Sequence, residues 1–203
     1  DFDYVIPMDG DGEDRPEEIK EFLNQIYNSK DIPIVGERVK RSEGFLFKIC
    51  YQVHKLITFT FVGKSIKFGN FTCLSKNTVE KMVNEKATWN SFSGSLRKIE
   101  NNFIKIPSVR GKRYFGPSKM SFYNLVKHSL SIISVFRKIF LIRSALFIIL
   151  YILLIKTYAS VITAIPLIFL LIAVYSISNL ALRENMEEFD KALSNINNID
   201  KIK

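Results

Sequence analysis

The chain has 203 residues, long enough for one or two domains. Its 29 Lys and Arg against 20 Asp and Glu leave a formal charge of +9, which points to anionic partners: nucleic acid, anionic lipid or phosphorylated ligands. A nucleic-acid binder is disfavoured by the C-terminal third, because residues 139–182 are mostly Ile, Leu, Val, Phe, Ala and Tyr.

The two cysteines, Cys50 and Cys73, form no CxxC or Cys/His cluster and fit reduced thiols, and His54 and His128 make no recognisable constellation. The chain opens at Asp1 inside a strand-like run with no signal peptide, which predicts that an N-terminal part of the domain lies outside it.

Residues 3–8 read as a buried strand, followed by an acidic loop in "MDGDGEDRPEEI", residues 8–19. Asp14 is a good helix N-cap, Pro16 suits a first helical turn, and Glu17 and Glu18 complement the helix dipole. Ile19, Phe22, Leu23, Ile26 and Tyr27 then recur at the spacing of one helical face. "IPIVGERV" reads as the next strand, so strand, loop, helix and strand form a βαβ unit of an α/β domain. Ligands of such sheets bind outside the carboxyl ends of the strands, where the acidic loop falls.

Residues 44–60 are predicted helical, with Phe47, Tyr51 and Ile57 as apolar anchors. "SIKFGNFTCLS" reads as a strand or loop, residues 77–84 and 88–99 as short helices, and "NFIKIPSV" as a strand. "RGKRYFGPSK" is a basic loop. Residues 119–138 spread Phe122, Leu125, Val126, Leu130, Ile133 and Val135 over a wide face, which fits a helix at a membrane interface or a core helix.

Residues 158–182 are uncharged and long enough to cross the roughly 30 Å hydrocarbon layer. Residues 139–155 match that length if Arg143 reaches the interface. Lys156 and Thr157 leave a short turn, which predicts a two-helix hairpin. Its basic flanks, Arg137, Lys138, Arg143 and Arg183, place both ends on the cytoplasmic side. A soluble two-helix core is the alternative. The expected division is a catalytic α/β part at 1–117, an amphipathic interface helix at 118–138, a transmembrane hairpin at 139–182 and a polar cytoplasmic tail at 183–203.

Asp9 and Asp11, one residue apart after an apolar strand, can both reach a hard cation, which takes oxygen ligands. Such a cation would bridge a diphosphate and offset leaving-group charge. A solvated acidic turn is the plain alternative. An EF-hand is excluded, because Asp14 stands where the turn glycine belongs and Lys20 where the bidentate Glu belongs. No P-loop and no GxSxG occur.

"MDGDGEDRPEEI" resembles the strand–D-x-D–helix segment of family-2 glycosyltransferases with the GT-A fold. The closest likeness is to the membrane-attached branch that includes dolichyl-phosphate mannose synthases and bacterial polyprenyl-phosphate glycosyltransferases. "VGERVKRSEGFLFKICYQ" looks like that branch's G-x-R strand end and basic helix start. "FGNFTCLSKNTVEKM" is similar to its "GDFRLLSR" segment, and "IPSVRGKRYFGPSKMSF" to its R-x-x-G-x-SK segment.

The resemblance implies the C-terminal part of a GT-A domain, then an interface helix and a transmembrane hairpin. It implies an enzyme of the inner membrane, with its catalytic side cytoplasmic. That enzyme would transfer sugar, with inversion, from a nucleoside-diphosphate sugar to a polyprenyl phosphate. It implies Mg2+ or Mn2+ on Asp9 and Asp11 with Glu13 as a third ligand, and catalytic cations at Arg38 and Lys48. Arg38, Lys48, Arg110, Arg113, Ser118 and Lys119 would serve the acceptor phosphate. Homo-oligomerisation is compatible with it.

The chain departs from the pattern at Asn70 and Thr72, where the family has Asp and Arg, which opens the choice of acceptor. A transferase acting on a polysaccharide or lipid hydroxyl, and a non-catalytic membrane-anchored scaffold, are the rival readings. Arg38 could instead pair with Glu37 or Glu43, Lys48 could be a solvated helix charge, and the loop cations could meet anionic lipid headgroups.

Overall fold

The computed structural model describes residues 2–29, 31–40, 45–116 and 121–193. In chain order these form β1 (Tyr4–Val5), α1 (Ile19–Ser29), β2 (Ile34–Lys40), α2 (Phe45–Val62), β3 (Phe68–Ser75), α3 (Lys76–Val83), α4 (Phe92–Ile99), β4 (Ile104–Val109), α5 (Phe122–Ser134), α6 (Arg137–Ile155), α7 (Val161–Ala181) and α8 (Met186–Leu193).

The fold is mixed α/β. The sheet order is β1-β3-β2-β4, with β3 antiparallel to both neighbours and β2 parallel to β4. β1, β2 and β4 therefore point the same way and end at one edge. The expected strand–helix–strand unit is present in direction, but β3 lies between its two strands, so β1 and β2 are not neighbours. The first strand is also shorter than expected, two residues against the six of 3–8.

Side-chain alternation divides the sheet between two cores. Ile34, Phe71, Cys73 and Ile106 face α1 and pack on its Phe22, whose ring meets Phe71 edge-on with centroids 4.8 Å apart. Val35 and Leu74 face the other way, onto Met82 of α3 and Leu96 of α4. Cys73 is a free thiol, and burial pushes its pKa up to about 11.

The apolar stripe of α1 is narrower than its sequence spacing implies. Phe22 is fully buried and Ile19 and Ile26 pack beside it, while Tyr27 is 92% exposed. Asp14 is not the N-cap. Arg15 holds that place without a side-chain bond, and Pro16 occupies the first turn as expected.

The helix expected over 88–99 is split. A 3-10 turn, Lys86–Trp89, precedes α4, because Ser91 caps α4 by accepting from the Gly94 N–H at 3.2 Å. Of the anchors expected on α2, Tyr51 is half-buried and Ile57 is exposed. The side chains of Phe47, Lys48 and Cys50 lie outside the description.

α6 and α7 are each long and apolar enough to cross a membrane. Most of their side chains face outward. Only Phe140 and Ser144 of α6, and Leu170 and Ile177 of α7, are buried, while Leu154, Ile162 and Phe169 stand out.

α7 carries Pro166 in its second turn and begins with a reciprocal capping box between Ser160 and Thr163, which satisfies two of its first N–H groups. The C-terminal half of α5 packs on α7 through Leu130 and Ile133, whereas Phe122, Tyr123 and Val126 at its start are exposed. α5 thus joins the two expected characters: an exposed apolar first half and a core-forming second half.

Candidate functional site

The acidic loop leaves the end of β1 and the basic loop leaves the end of β4, so the shared strand direction brings them to one sheet edge. Backbone bonds lock them together. The Gly111 N–H donates to the Glu13 carbonyl at 2.8 Å, and the Tyr114 N–H to the Asp11 carbonyl at 2.9 Å. The contact needs glycine: a Cβ on Gly111 would stand 2.4 Å from the Gly12 carbonyl oxygen. Gly12 itself has φ +88°, with the Tyr114 ring against its Cα. Glu18 accepts from the Val109 N–H at 2.9 Å and fixes the start of α1 to the end of β4.

Within the acidic loop, Asp14 is buried and accepts from the Asp9 N–H at 3.0 Å. Its short carboxylate folds the loop back on itself instead of capping the helix. Burial raises its pKa, and the Asp9 N–H bond and the Arg38 charge oppose that rise. Asp11 accepts from the Glu13 N–H at 3.0 Å, an Asx turn that holds its carboxylate at the loop edge.

Ion pairs cross between the loops. Arg113 donates to Glu13 through Nε at 3.0 Å and Nη2 at 3.2 Å, and its Nη1 lies 3.2 Å from Asp11 Oδ2. Arg110 pairs with the same Glu13 carboxylate. Burial, then repulsion from Arg113, lowers the Arg110 pKa. Such bidentate, partly buried pairs are the strong kind.

The expected site residues are thus distributed unevenly. Asp9, Asp11, Glu13, Arg110 and Arg113 lie together, and Arg38 approaches from β2, its guanidinium 3.1 Å from where a Gly69 Cβ would be. Glu37 does not take Arg38, since its carboxylate sits near Lys67 and Lys105. Lys48 lies on α2 with its side chain outside the description, and Ser118, Lys119 and Glu43 lie outside the described residues. Asn70 is exposed on β3.

The donor set constrains any cation. Among the described residues no three His, Cys, Asp or Glu are grouped to hold a metal ion. Both oxygens of Glu13, expected as a third ligand, are occupied by guanidinium groups, so Glu13 ties the loops together. Asp9 is exposed, while Asp11 is itself engaged, Oδ1 by the Glu13 N–H and Oδ2 by Arg113, so the two offer hard oxygens to a cation only where Arg113 is displaced. That number fits Mg2+, which keeps several waters and takes one or two carboxylates plus substrate phosphates.

Two residues with no visible pattern in sequence also enter the site. His128 on α5 lies within electrostatic reach of Arg38, and His54 on α2 within reach of His128. Burial lowers both pKa values, and the neighbouring charges add to it. His128 keeps solvent contact, which moderates its shift. His54 accepts or donates at 3.5 Å to the buried Thr58 hydroxyl one turn on. Residues 54 and 128 meet only through the packing of α2 and α5, so no local signal announces them.

No family model matches the chain, and no curated protein and no solved structure matches it at a significant level.

Proposed function

We propose that the chain is the C-terminal part of a membrane-bound, GT-A-type glycosyltransferase that moves a sugar from a nucleoside-diphosphate sugar to a polyprenyl phosphate, with inversion. What supports the reading is one observation: carboxylates and guanidinium groups are interlocked at the carboxyl edge of parallel strands, in a body that carries two long, outward-facing apolar helices. Transfer from a diphosphate donor to an anionic acceptor needs both signs of charge side by side.

In this reading Asp9 and Asp11 hold Mg2+ or Mn2+, which supplies charge neutralisation of the donor diphosphate. Glu13 positions Arg110 and Arg113, and Asp14 holds the loop that carries Asp9. Arg38 binds the acceptor phosphate. A phosphate acceptor is already ionised near neutral pH and needs no general base. That agrees with an amide at Asn70, where a hydroxyl acceptor would call for a carboxylate. α6 and α7 cross the inner membrane in this reading, and the exposed apolar start of α5 meets its surface.

The assay is transfer of labelled sugar by membranes containing the full-length protein. Polyprenyl phosphate is the expected acceptor and neutral polyprenol is not. Asp11→Asn should abolish metal-dependent turnover while leaving the protein folded. Arg38→Ala should lower the rate about ten- to a hundredfold, the size of a lost charge-assisted bond, and Asn70→Ala should change it little. Glycosylation of a hydroxyl with polyprenyl phosphate ignored would overturn the acceptor assignment.

A second reading, a non-catalytic membrane scaffold, is favoured by the internal pairing of Glu13 and Asp11, which leaves the loop largely satisfied by itself. No turnover with any donor would favour it, whereas undiminished turnover in Asp11→Asn would overturn only the metal role.

A further inference from the structure

On the sheet face opposite to Arg38, a cavity of about 490 Å³ gathers three cations, Lys67, Arg97 and Lys105. Its apolar wall is the pair Phe68 and Phe103, with ring centroids 5.0 Å apart, and the Arg97 guanidinium lies 5.3 Å from the Phe103 centroid. The amides of Asn101 and Asn102 line the rim. One carboxylate enters, Glu37, at 3.5 Å from Lys67 and 3.8 Å from Lys105. A single carboxylate shared between two lysines cannot neutralise three cations, so the cavity keeps a positive excess.

Arg97 is the built part of this site. Its guanidinium lies over the Phe103 ring, and Nη1 donates to the Asn101 carbonyl at 2.6 Å. Its Nε is buried and, among the described residues, has no hydrogen-bond partner. An orphaned guanidinium N–H is unfavourable until an acceptor reaches it. Lys64 adds to the positive field from behind, donating to the Arg97 carbonyl at 3.2 Å. Burial, then the Arg97 charge, lowers the Lys64 pKa. The Lys64 ammonium also lies 5.3 Å from the Phe136 ring centroid, and Phe136 immediately precedes α6. Ser65, the residue after Lys64, lines the cavity.

We propose that this cavity binds a phosphate group, as a second anion site separate from the acidic-loop site. Phosphate offers the acceptor oxygens that a guanidinium fork and two flexible ammonium groups recognise. Phenyl walls and amide donors suit the uncharged part of a phosphate ester. The phosphate comes either from an anionic lipid headgroup, given the two long apolar helices that the chain carries, or from a free phosphate. The proposal does not depend on the transferase reading.

The test uses the full-length protein in neutral detergent micelles. Dihexanoyl phosphatidic acid and inorganic phosphate are titrated separately, and binding is read by calorimetry and by the shift in unfolding temperature. Saturable binding is expected, weakened at least tenfold in Lys67→Gln/Lys105→Gln, kept in Lys67→Arg/Lys105→Arg, and kept in Arg38→Ala. Both lysines are half-exposed, so the double variant should fold, and its unfolding transition without ligand checks this. Tighter binding of phosphatidic acid than of phosphate supports the site with a lipid headgroup as ligand, and equal binding supports it with a free phosphate. No saturable binding of either probe by folded protein would overturn the proposal. So would unchanged affinity in the lysine-to-glutamine variant, or loss of binding in Arg38→Ala alone.

Discussion

At the scale of single residues, the contact between the two loops hangs on glycine. Gly111 has no room for a methyl group against the Gly12 carbonyl, whereas Gly10, two residues earlier in the acidic loop, has nothing within 4 Å of a built Cβ. Gly111→Ala should therefore push the basic loop off the acidic one and destabilise the protein by about 1–3 kcal/mol. Gly10→Ala should leave the unfolding temperature unchanged. Thermal unfolding of the two variants side by side checks this, and equal stability would show that the loops are not locked.

The two histidines allow a second prediction at this scale. Their folded pKa values lie below the free value of about 6.5, because burial disfavours the charged ring. The unfolded chain then binds protons first as pH falls, so stability drops as pH falls below about 6.5 and levels off under the folded pKa values. His54→Gln/His128→Gln should flatten that part of the stability profile. An unaltered profile would mean that the rings titrate normally.

Sequence reading found the carboxylates by type and spacing, but not the ion pairs that Glu13 makes. Glu13 looks like a third ligand in a one-dimensional list. Its partners, Arg110 and Arg113, lie 97 and 100 residues away, and nothing local signals that pairing.

At the scale of elements, helices were the legible part. α1, α3, α6 and α7 follow from periodicity, caps or sheer apolar length, all of which are local properties. The sheet was half legible. Strands β2 and β4 were marked by β-branched runs, but the insertion of β3 between β1 and β2 is a long-range pairing with no local trace.

Arg143 shows how tertiary context reassigns a residue. In sequence it is a charge to be carried to the membrane interface. In the fold, its guanidinium donates to the Thr60 carbonyl at 2.9 Å, near the end of α2, and more weakly to Phe59 at 3.4 Å. Gly63, at φ +77°, completes that helix end by donating to Phe59 at 2.9 Å.

Arg143→Met keeps the apolar stem and removes the donors. It should lower stability by about 0.5–1.5 kcal/mol, the ordinary contribution of such a bond. Lys at 143 should restore part of it. If Arg143→Met melts at the wild-type temperature, the contact contributes nothing and the charge serves only the interface.

At the scale of the whole molecule, the sheet body and the long helices are joined at one end of the hairpin. Asn90, in the turn before α4, donates to the Ser134 hydroxyl on α5 and, at 3.1 Å, to the Leu180 carbonyl at the end of α7. Val62, Phe136, Phe140 and Ile177 close the same end in one apolar cluster. At the other end, Tyr151 donates to the Thr163 carbonyl at 3.0 Å, so α6 and α7 run antiparallel and meet across a short turn.

The start of α6 and the end of α7 must then lie on one side of any bilayer that the hairpin crosses, the side of the sheet. Arg137, Lys138, Arg143 and Arg183 cluster at that end, against Lys156 alone at the turn. Lys and Arg are retained on the cytoplasmic face. The sheet, the acidic loop and the C-terminus should therefore be cytoplasmic and the 156–160 turn external. In intact cells, Tyr158→Cys should react with a membrane-impermeant maleimide, and a reporter fused after Lys203 should be shielded from added protease. Labelling of Tyr158→Cys only after the cells are broken, or cleavage of the reporter in intact cells, would invert the orientation and put the sheet on the side away from cytoplasmic nucleotide sugars.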